Sequence, residues 1–365
     1  MRVALVTYDF DETGGQGRFS QGLVRALRRC DVEVDVISPG SADWRWPSRL
    51  ATRLGKNAGF SLAANWELPA LLRQGGYDLV HANGGPGGVF LPLGLKPPLV
   101  YTAHHTYSQQ SRLVGGQGWK ATLASAEKRS YQHAEAIAAV TQSTADSVVR
   151  ESGIPPHKVR VIPNGLDFES FQPSGHEKQP RTCLFVGRLD ARKGFTHLIH
   201  AWSRVVEQRP DARLLVIGGG PERAACERFL AERGIENSVQ FLGRVDHTDL
   251  IRHYSEAQCV AVPSVFEGFG LAALEAFACG TRVLARDVEG LRDVVSRPEL
   301  GTLVAFDDVE AYADAILDEF ERPRAVDPSM RAALIAQYDW QVVVQDYLAL
   351  YEATLGRTAV ASIAA

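Results

Sequence analysis

Apolar residues come in short, nearly continuous runs separated by stretches at helical spacing, and this alternation sets the fold class. Val3 to Thr7 is the first run, the pattern of a strand buried on both faces of a parallel sheet. A glycine-rich turn, TGGQG, follows, and then Phe19 to Arg29 carries apolar residues at helical spacing. The same strand, loop, helix order returns with Val32 to Ile37, Tyr77 to Ala82, Leu99 to Ala103 and Ala136 to Val140 as strands. The stretch from Val161 to Pro180 is rich in proline, glycine and charge and reads as a linker, after which buried runs resume. Thr182 to Val186, Arg213 to Ile217, Val239 to Leu242, Cys259 to Val262 and Arg282 to Ala285 are the strands predicted there. Strands alternating with helices predict doubly wound α/β sheets, two of them in this chain. Open sheets of this kind bind ligands beyond the carboxyl ends of their strands, so two of them predict a ligand cleft.

Composition narrows the reading. A chain of 365 residues is long enough for two domains, each with its own core. The formal net charge of −4 divides into roughly +3 before Phe171 and −7 after it. So small an asymmetry is compatible with an anionic surface or acceptor near the first half, and it excludes a nucleic-acid wrapper. The five cysteines, Cys30, Cys183, Cys226, Cys259 and Cys279, contain no C-x-x-C. They read as small buried hydrophobes in a reducing compartment, and neither as disulfides nor as zinc ligands. The opening MRVALVTYDF turns acidic too soon for a signal peptide, and no apolar run approaches bilayer-spanning length. The expected location is cytoplasmic, with a peripheral position at the inner membrane face left open.

Four constellations carry candidate chemistry. Gly14, Gly15 and Gly17 lie where a strand feeds a helix, which offers backbone N–H groups to a phosphate or forms a tight turn. Their spacing is not that of a dinucleotide fingerprint. In VGRLDARKG, Arg188 and Lys193 flank a turn at the carboxyl end of a strand, a pairing suited to a diphosphate, unless both are simply solvated. In PSVFEGFGLAALEAFACG, Glu267 lies in a glycine loop and Glu275 on a helix, Leu271 to Cys279, with no other polar residue. A carboxylate on such a helix is costly without a partner, and Glu275 is placed to accept from a pair of ribose hydroxyls. In YTAHHTYSQQS, His104 and His105 end a strand, where a histidine can donate to a sugar hydroxyl or a phosphate. No metal-ligand spacing accompanies them. The segment Trp44 to Lys56 interleaves tryptophan and arginine. It reads as a loop and helix over the acceptor side, with contact to an anionic membrane surface as the alternative.

As a set, these residues resemble the retaining glycosyltransferases of family 4, which have the GT-B architecture of two Rossmann-like domains facing across a cleft. The resemblance rests on Gly14-Gly15-x-Gly17, T-x-H ending at His104, VIPNGLD from Val161 to Asp167, VGRLDARKG, GGGPER from Gly218, FLGRV to Val245, and the E-x7-E pattern of Glu267 and Glu275. It implies an acceptor-binding domain over residues 1–170, a nucleotide-sugar-binding domain over 181–337, and a terminal helix over 338–356 that returns to the first domain. It also implies residue roles. Arg188 and Lys193 neutralise the donor diphosphate, approached by the Gly15 amide, with Gly14, Gly17, Asn164, Gly187 and Gly218 also among the donor contacts. Glu275 holds the ribose, and Arg244 and Val245 meet the base. Glu267 and the amides of Gly268, Phe269, Gly270 and Leu271 orient the transferred sugar, and His104 contacts that sugar, with His105 as the other candidate. Where the family shows a Gly-Gly pair, this chain has DVEGLRDVV with the single Gly290 and Asp293, which puts the phosphate contacts of that loop in question.

The implied reaction is transfer of a sugar from a UDP- or GDP-linked donor to an acceptor hydroxyl. It proceeds with retention by a front-face route, and with neither metal nor cofactor. The acceptor is a small molecule, a glycan or a lipid-linked group. Three other functions compete: a retaining glycosidase using Glu267 and Glu275, a non-catalytic sugar-nucleotide-binding module, and a dinucleotide oxidoreductase, against which the glycine spacing counts.

Overall fold

A computed structural model of the protein describes residues 1–10, 14–39, 56–85, 88–89, 91–92, 94–116, 118–305 and 308–356. Most of the Trp44 to Lys56 segment therefore lies outside the described residues. The chain forms two compact units. One comprises Met1–Arg112, Gly116–Gly165 and Tyr338–Ala365, the other Leu113–Gly115 and Leu166–Gln337.

In the first unit, β1 (Arg2–Val6), β2 (Glu33–Ile37), β3 (Leu79–Asn83), β4 (Leu99–Ala103), β5 (Ala136–Ala139) and β6 (Val159–Val161) form one parallel sheet in the order β2-β1-β3-β4-β5-β6. β3 and β4 are buried at every position. That follows from helical cover on both faces and explains why their sequences are continuous apolar runs instead of alternating ones. The helices here are α1 (Gly15–Arg29), α2 (Lys56–Gly75), α3 (Tyr107–Leu113), α4 (Ala121–His133) and α5 (Gln142–Ser152). The Thr141 side chain caps α5, and Gly153 closes it in the left-handed region.

In the second unit, β7 (Gln179–Val186), β8 (Arg213–Ile217), β9 (Val239–Gly243), β10 (Ala257–Val262), β11 (Val283–Arg286) and β12 (Gly301–Val304) form a parallel sheet ordered β12-β11-β10-β7-β8-β9. Around it lie α6 (Phe195–Gln208), α7 (Arg223–Glu232), α8 (His247–Glu256), α9 (Leu271–Ala278), α10 (Glu289–Val294), α11 (Val309–Glu321) and α12 (Pro328–Tyr338). Trp202, Phe195 and Phe185 fill one core layer. The last helix, α13 (Trp340–Thr354), belongs to the first unit, where Trp340, Val343, Tyr347 and Tyr351 join the core formed by Val3, Leu5, Phe19 and Leu23. The Trp340 ring lies so close to Gly22 and Gly165 that a Cβ at either would meet it at 2.2 and 2.3 Å.

Each predicted strand is present, displaced by at most a few residues at its ends. Two strands were not predicted, β6 and β12, both at sheet edges. β6 is largely exposed and β12 is only half-buried along its middle, so neither prints a buried apolar run. Cys183, Cys226, Cys259 and Cys279 are buried free thiols, and Cys30 is half-buried. Among the described residues, no helix is long and apolar enough to cross a membrane.

Candidate functional site

The candidate residues fall into two groups. Gly187, Arg188, Lys193, Gly218, Arg244, Val245, Glu267 to Leu271 and Glu275 belong to the second unit, and Gly14, Gly15, Gly17, His104 and Asn164 to the first.

In the second unit the group is assembled at the carboxyl ends of β7, β8, β9 and β10. Gly218 has φ +126°, and a Cβ there would sit 1.9 Å from the Gly187 carbonyl oxygen, so the backbones after β7 and β8 touch only because this residue is glycine. The Gly218 amide donates to the Gly243 carbonyl at 2.7 Å, which ties in the end of β9 and the exposed Arg244 and half-buried Val245 beyond it. The loop after β7 is closed by Asp190, whose carboxylate accepts from the Lys193 amide and from Arg188 Nε, each at 3.1 Å. Asp190 thereby caps the short 3-10 turn Ala191–Lys193 and steadies an arginine that is 70% exposed.

Lys193 turns inward and pairs with Glu267, the carboxylate of the loop after β10. Ser264 Oγ donates to Glu267 Oε1 at 2.9 Å, and Arg192 Nη1 lies 3.5 Å from Oε2. Glu267 is 8% exposed. Burial acts to raise its pKa, but the charges of Lys193 and Arg192 and the bonds from Lys193 and Ser264 outweigh burial and hold it below the ordinary carboxylate value. Burial also lowers the pKa of Lys193, opposed by the Glu267 charge. The result is a charged carboxylate fixed among cations. Ser264 and Arg192 were absent from the sequence-based set. The only hint was position, since both lie within three residues of a candidate in the same loops.

After Glu267 the chain passes through Gly270, at φ +98°, into α9, which has no side-chain cap at its N-terminus. Glu275 is 1% exposed and accepts from the Tyr254 hydroxyl of α8 at 2.8 Å. Sequence reasoning found the buried carboxylate and missed the tyrosine, which is separated from it by a strand and a loop. Gly290, in α10, also acquires a role: a Cβ there would lie 2.2 Å from the Glu267 carbonyl oxygen, so α10 packs directly on the Glu267 backbone. This position is read as packing, and no phosphate contact needs to be invoked for it.

In the first unit, Gly14 is the N-cap of α1 at φ −137°, with nothing among the described residues within 4 Å of a Cβ built on it. Among the described residues neither strain nor packing demands glycine there. His104 follows β4 and is buried, its Nε2 2.5 Å from Asn83 Oδ1, and burial lowers its pKa to about 4. His105 is half-buried against the Tyr107 ring. Asn164 is buried, and its Oδ1 has no hydrogen-bond partner among the described residues.

Two Rossmann-like parallel sheets, with glycosyltransferase structures of the GT-B architecture as neighbours, place the chain in the GT-B fold class. The profile described as Glycosyltransferase Family 4 matches residues 13–170, and that described as Glycosyl transferases group 1 matches residues 167–336. The chain belongs to the family 4 glycosyltransferases and is an enzyme of that class. It is 28% identical to a phosphatidyl-myo-inositol mannosyltransferase of Mycolicibacterium smegmatis, over 98% of this chain and 95% of that one. Among solved structures it resembles the sucrose-phosphate synthase of Thermosynechococcus elongatus, with TM-score 0.80 and 25% identity over 98% of this chain and 99% of that one. It also resembles Anabaena HepE in complex with UDP and glucose, with TM-score 0.71 and 18% identity over 97% and 100% of the two chains.

Proposed function

We propose that the protein is a retaining glycosyltransferase that takes a sugar from a UDP- or GDP-linked donor, without a metal, and passes it to an acceptor hydroxyl. The observation that carries this reading is the arrangement after β7 and β10, where Arg188 stands exposed on an Asp190 brace while Lys193 is held by Glu267. In this reading Arg188 and Lys193 take the charge that develops on the leaving diphosphate, the role a metal would otherwise fill. The uncapped start of α9 adds N–H groups for the transferred sugar or its phosphate, and Glu267 orients that sugar. Glu275 holds the ribose, with the Tyr254 bond fixing its carboxylate. The loop at Arg244 and Val245 meets the base, and the start of α1 at Gly14 to Gly17 contributes a phosphate contact and His104 a sugar contact. The leaving phosphate accepts the acceptor proton, so no protein nucleophile is needed.

The glycosidase alternative requires a carboxylic acid that is protonated near neutrality. Glu267 is held in the opposite direction by Lys193 and Arg192. A panel of nucleotide sugars screened by thermal shift, followed by detection of released nucleotide diphosphate, tests the proposal. Stabilisation by one donor and its turnover are the expected result. Hydrolysis of a simple glycoside without nucleotide would overturn it.

A further inference from the structure

Four buried polar side chains of the first unit form a chain of hydrogen bonds that ends on His104. Thr7 follows β1, Ser20 lies on α1, Asn83 ends β3 and His104 follows β4. The Thr7 hydroxyl donates to the Asp9 carbonyl and the Ser20 hydroxyl to the Gln16 carbonyl, each at 2.9 Å. The two hydroxyls also lie 3.0 Å apart, where either can donate to the other; with each proton spent on a carbonyl or on the neighbouring hydroxyl, both face Asn83 as acceptors. Asn83 Nδ2 answers both, 2.8 Å from Ser20 Oγ and 3.2 Å from Thr7 Oγ1. The orientation of the amide follows from these partners, and it turns Oδ1 toward His104 Nε2 at 2.5 Å.

An amide oxygen carries no proton, so Nε2 must supply it. The imidazole is buried and neutral, and a neutral ring has one N–H, so the lone pair is on Nδ1. Phe19 fixes the ring plane by an edge contact, with centroids 4.7 Å apart at 84°. The other titratable groups nearby are His81 on β3 and Tyr347 on α13. His81 is itself driven down to about 3, by burial first and by His104 second, and it is bonded to Tyr351 at 2.5 Å and Thr102 at 2.7 Å. Tyr347 lies against Phe19, and burial raises its pKa. No carboxylate contributes to the shift of His104, which burial alone explains.

We infer that Asn83, oriented by Thr7 and Ser20, is a positioning residue that fixes His104 as the Nε2–H tautomer and offers Nδ1 as a hydrogen-bond acceptor to a hydroxyl of the transferred sugar. The inference rests on the proposed function for its sugar half, and on the hydrogen bonds and the burial of the ring for its tautomer half. It reverses the donor role that a histidine at a strand end first suggests. It also gives Asn83, which lies in no recognised motif, a reason to be an amide: leucine would leave Nε2 unpaired, and aspartate would invite a second proton onto the ring.

The experiment is 15N NMR of the full chain labelled at histidine, with the His104 signals assigned by His104→Gln, combined with pH profiles of the wild type and Asn83→Asp. In the wild type His104 is expected to show a proton on Nε2, an unprotonated Nδ1, and no titration between about pH 6 and 8. In Asn83→Asp the carboxylate accepts the same proton and raises the His104 pKa. As pH falls through the new value, Nδ1 gains a proton and kcat/KM falls about tenfold per pH unit. A wild-type proton on Nδ1, a wild-type titration near 6.5, or a pH profile in Asn83→Asp that parallels the wild type would each overturn the inference. If the variant does not fold, the wild-type tautomer decides alone. If the wild type turns over no nucleotide sugar, the proposed function and the sugar half of this inference both fall. That outcome is distinguishable because the tautomer is read without substrate.

Discussion

Gly290→Ala tests whether α10 holds the Glu267 loop in place. The added Cβ would lie 2.2 Å from the Glu267 carbonyl oxygen, 2.9 Å from its carbon and 3.0 Å from the Gly268 carbonyl carbon. An ordinary contact needs about 3.5 Å, so the shortfall is about 1.3 Å. All three atoms are backbone, so no rotamer change relieves them, and either α10 or the loop must move by about 1 Å. Overpacking of this kind costs about 1–3 kcal/mol. Against it stands the helix-propensity gain of alanine over glycine, about 1 kcal/mol. Net destabilisation of about 0–2 kcal/mol is therefore expected in urea unfolding. The activity effect should be larger, because a displacement of about 1 Å at a positioned group costs about a hundredfold in rate. Gly118→Ala, where a Cβ meets nothing within 4 Å among the described residues, serves as the neutral control. A Gly290→Ala enzyme with wild-type kcat/KM and stability equal to or above the wild type would refute the reasoning.

Lys193→Met removes the main counter-charge of Glu267; the expected cost is about 3 kcal/mol in unfolding experiments at neutral pH and a hundredfold or greater loss of kcat/KM. Glu267 is depressed in the folded state, so its contribution to stability is present above the unfolded carboxylate pKa and lost as pH falls through the folded value. That acid-side loss should shrink in Lys193→Met, as a comparison of stability against pH for the two proteins would show. Asp190→Ala frees Arg188 and uncaps the turn before α6, so stability should fall by about 1 kcal/mol and the KM for donor should rise several-fold in initial-rate assays. Chelation with EDTA should leave turnover unchanged, and a loss restored by added divalent metal would contradict the metal-free reading.

The fold was legible because its signal is local. Buried parallel strands such as Leu99 to Ala103 are short, largely apolar runs, and their alternation with segments of helical spacing separates them from a buried helix such as α9. β6 and β12 escaped because edge strands need not be apolar on both faces. The charged candidates were legible for the converse reason: Glu275 is the one polar residue on a helix that is otherwise apolar. What could not be read were the partners. Tyr254 for Glu275, Ser264 and Arg192 for Glu267, and Asn83 for His104 are ordinary residues whose meaning comes from the register between strands and loops distant in sequence. Gly290 shows the same limit, because a single glycine in a helix looks like a weakened motif until the backbone it touches is known.

Transfer from a nucleotide diphosphate sugar with retention is the function proposed for this enzyme. It is tested most directly by following a reaction with the donor found by thermal shift, using NMR to read the anomeric configuration of the product as it forms. Nucleotide diphosphate should be released in step with a glycoside of the same configuration as the donor. An inverted product, or sugar release without nucleotide diphosphate, would contradict it.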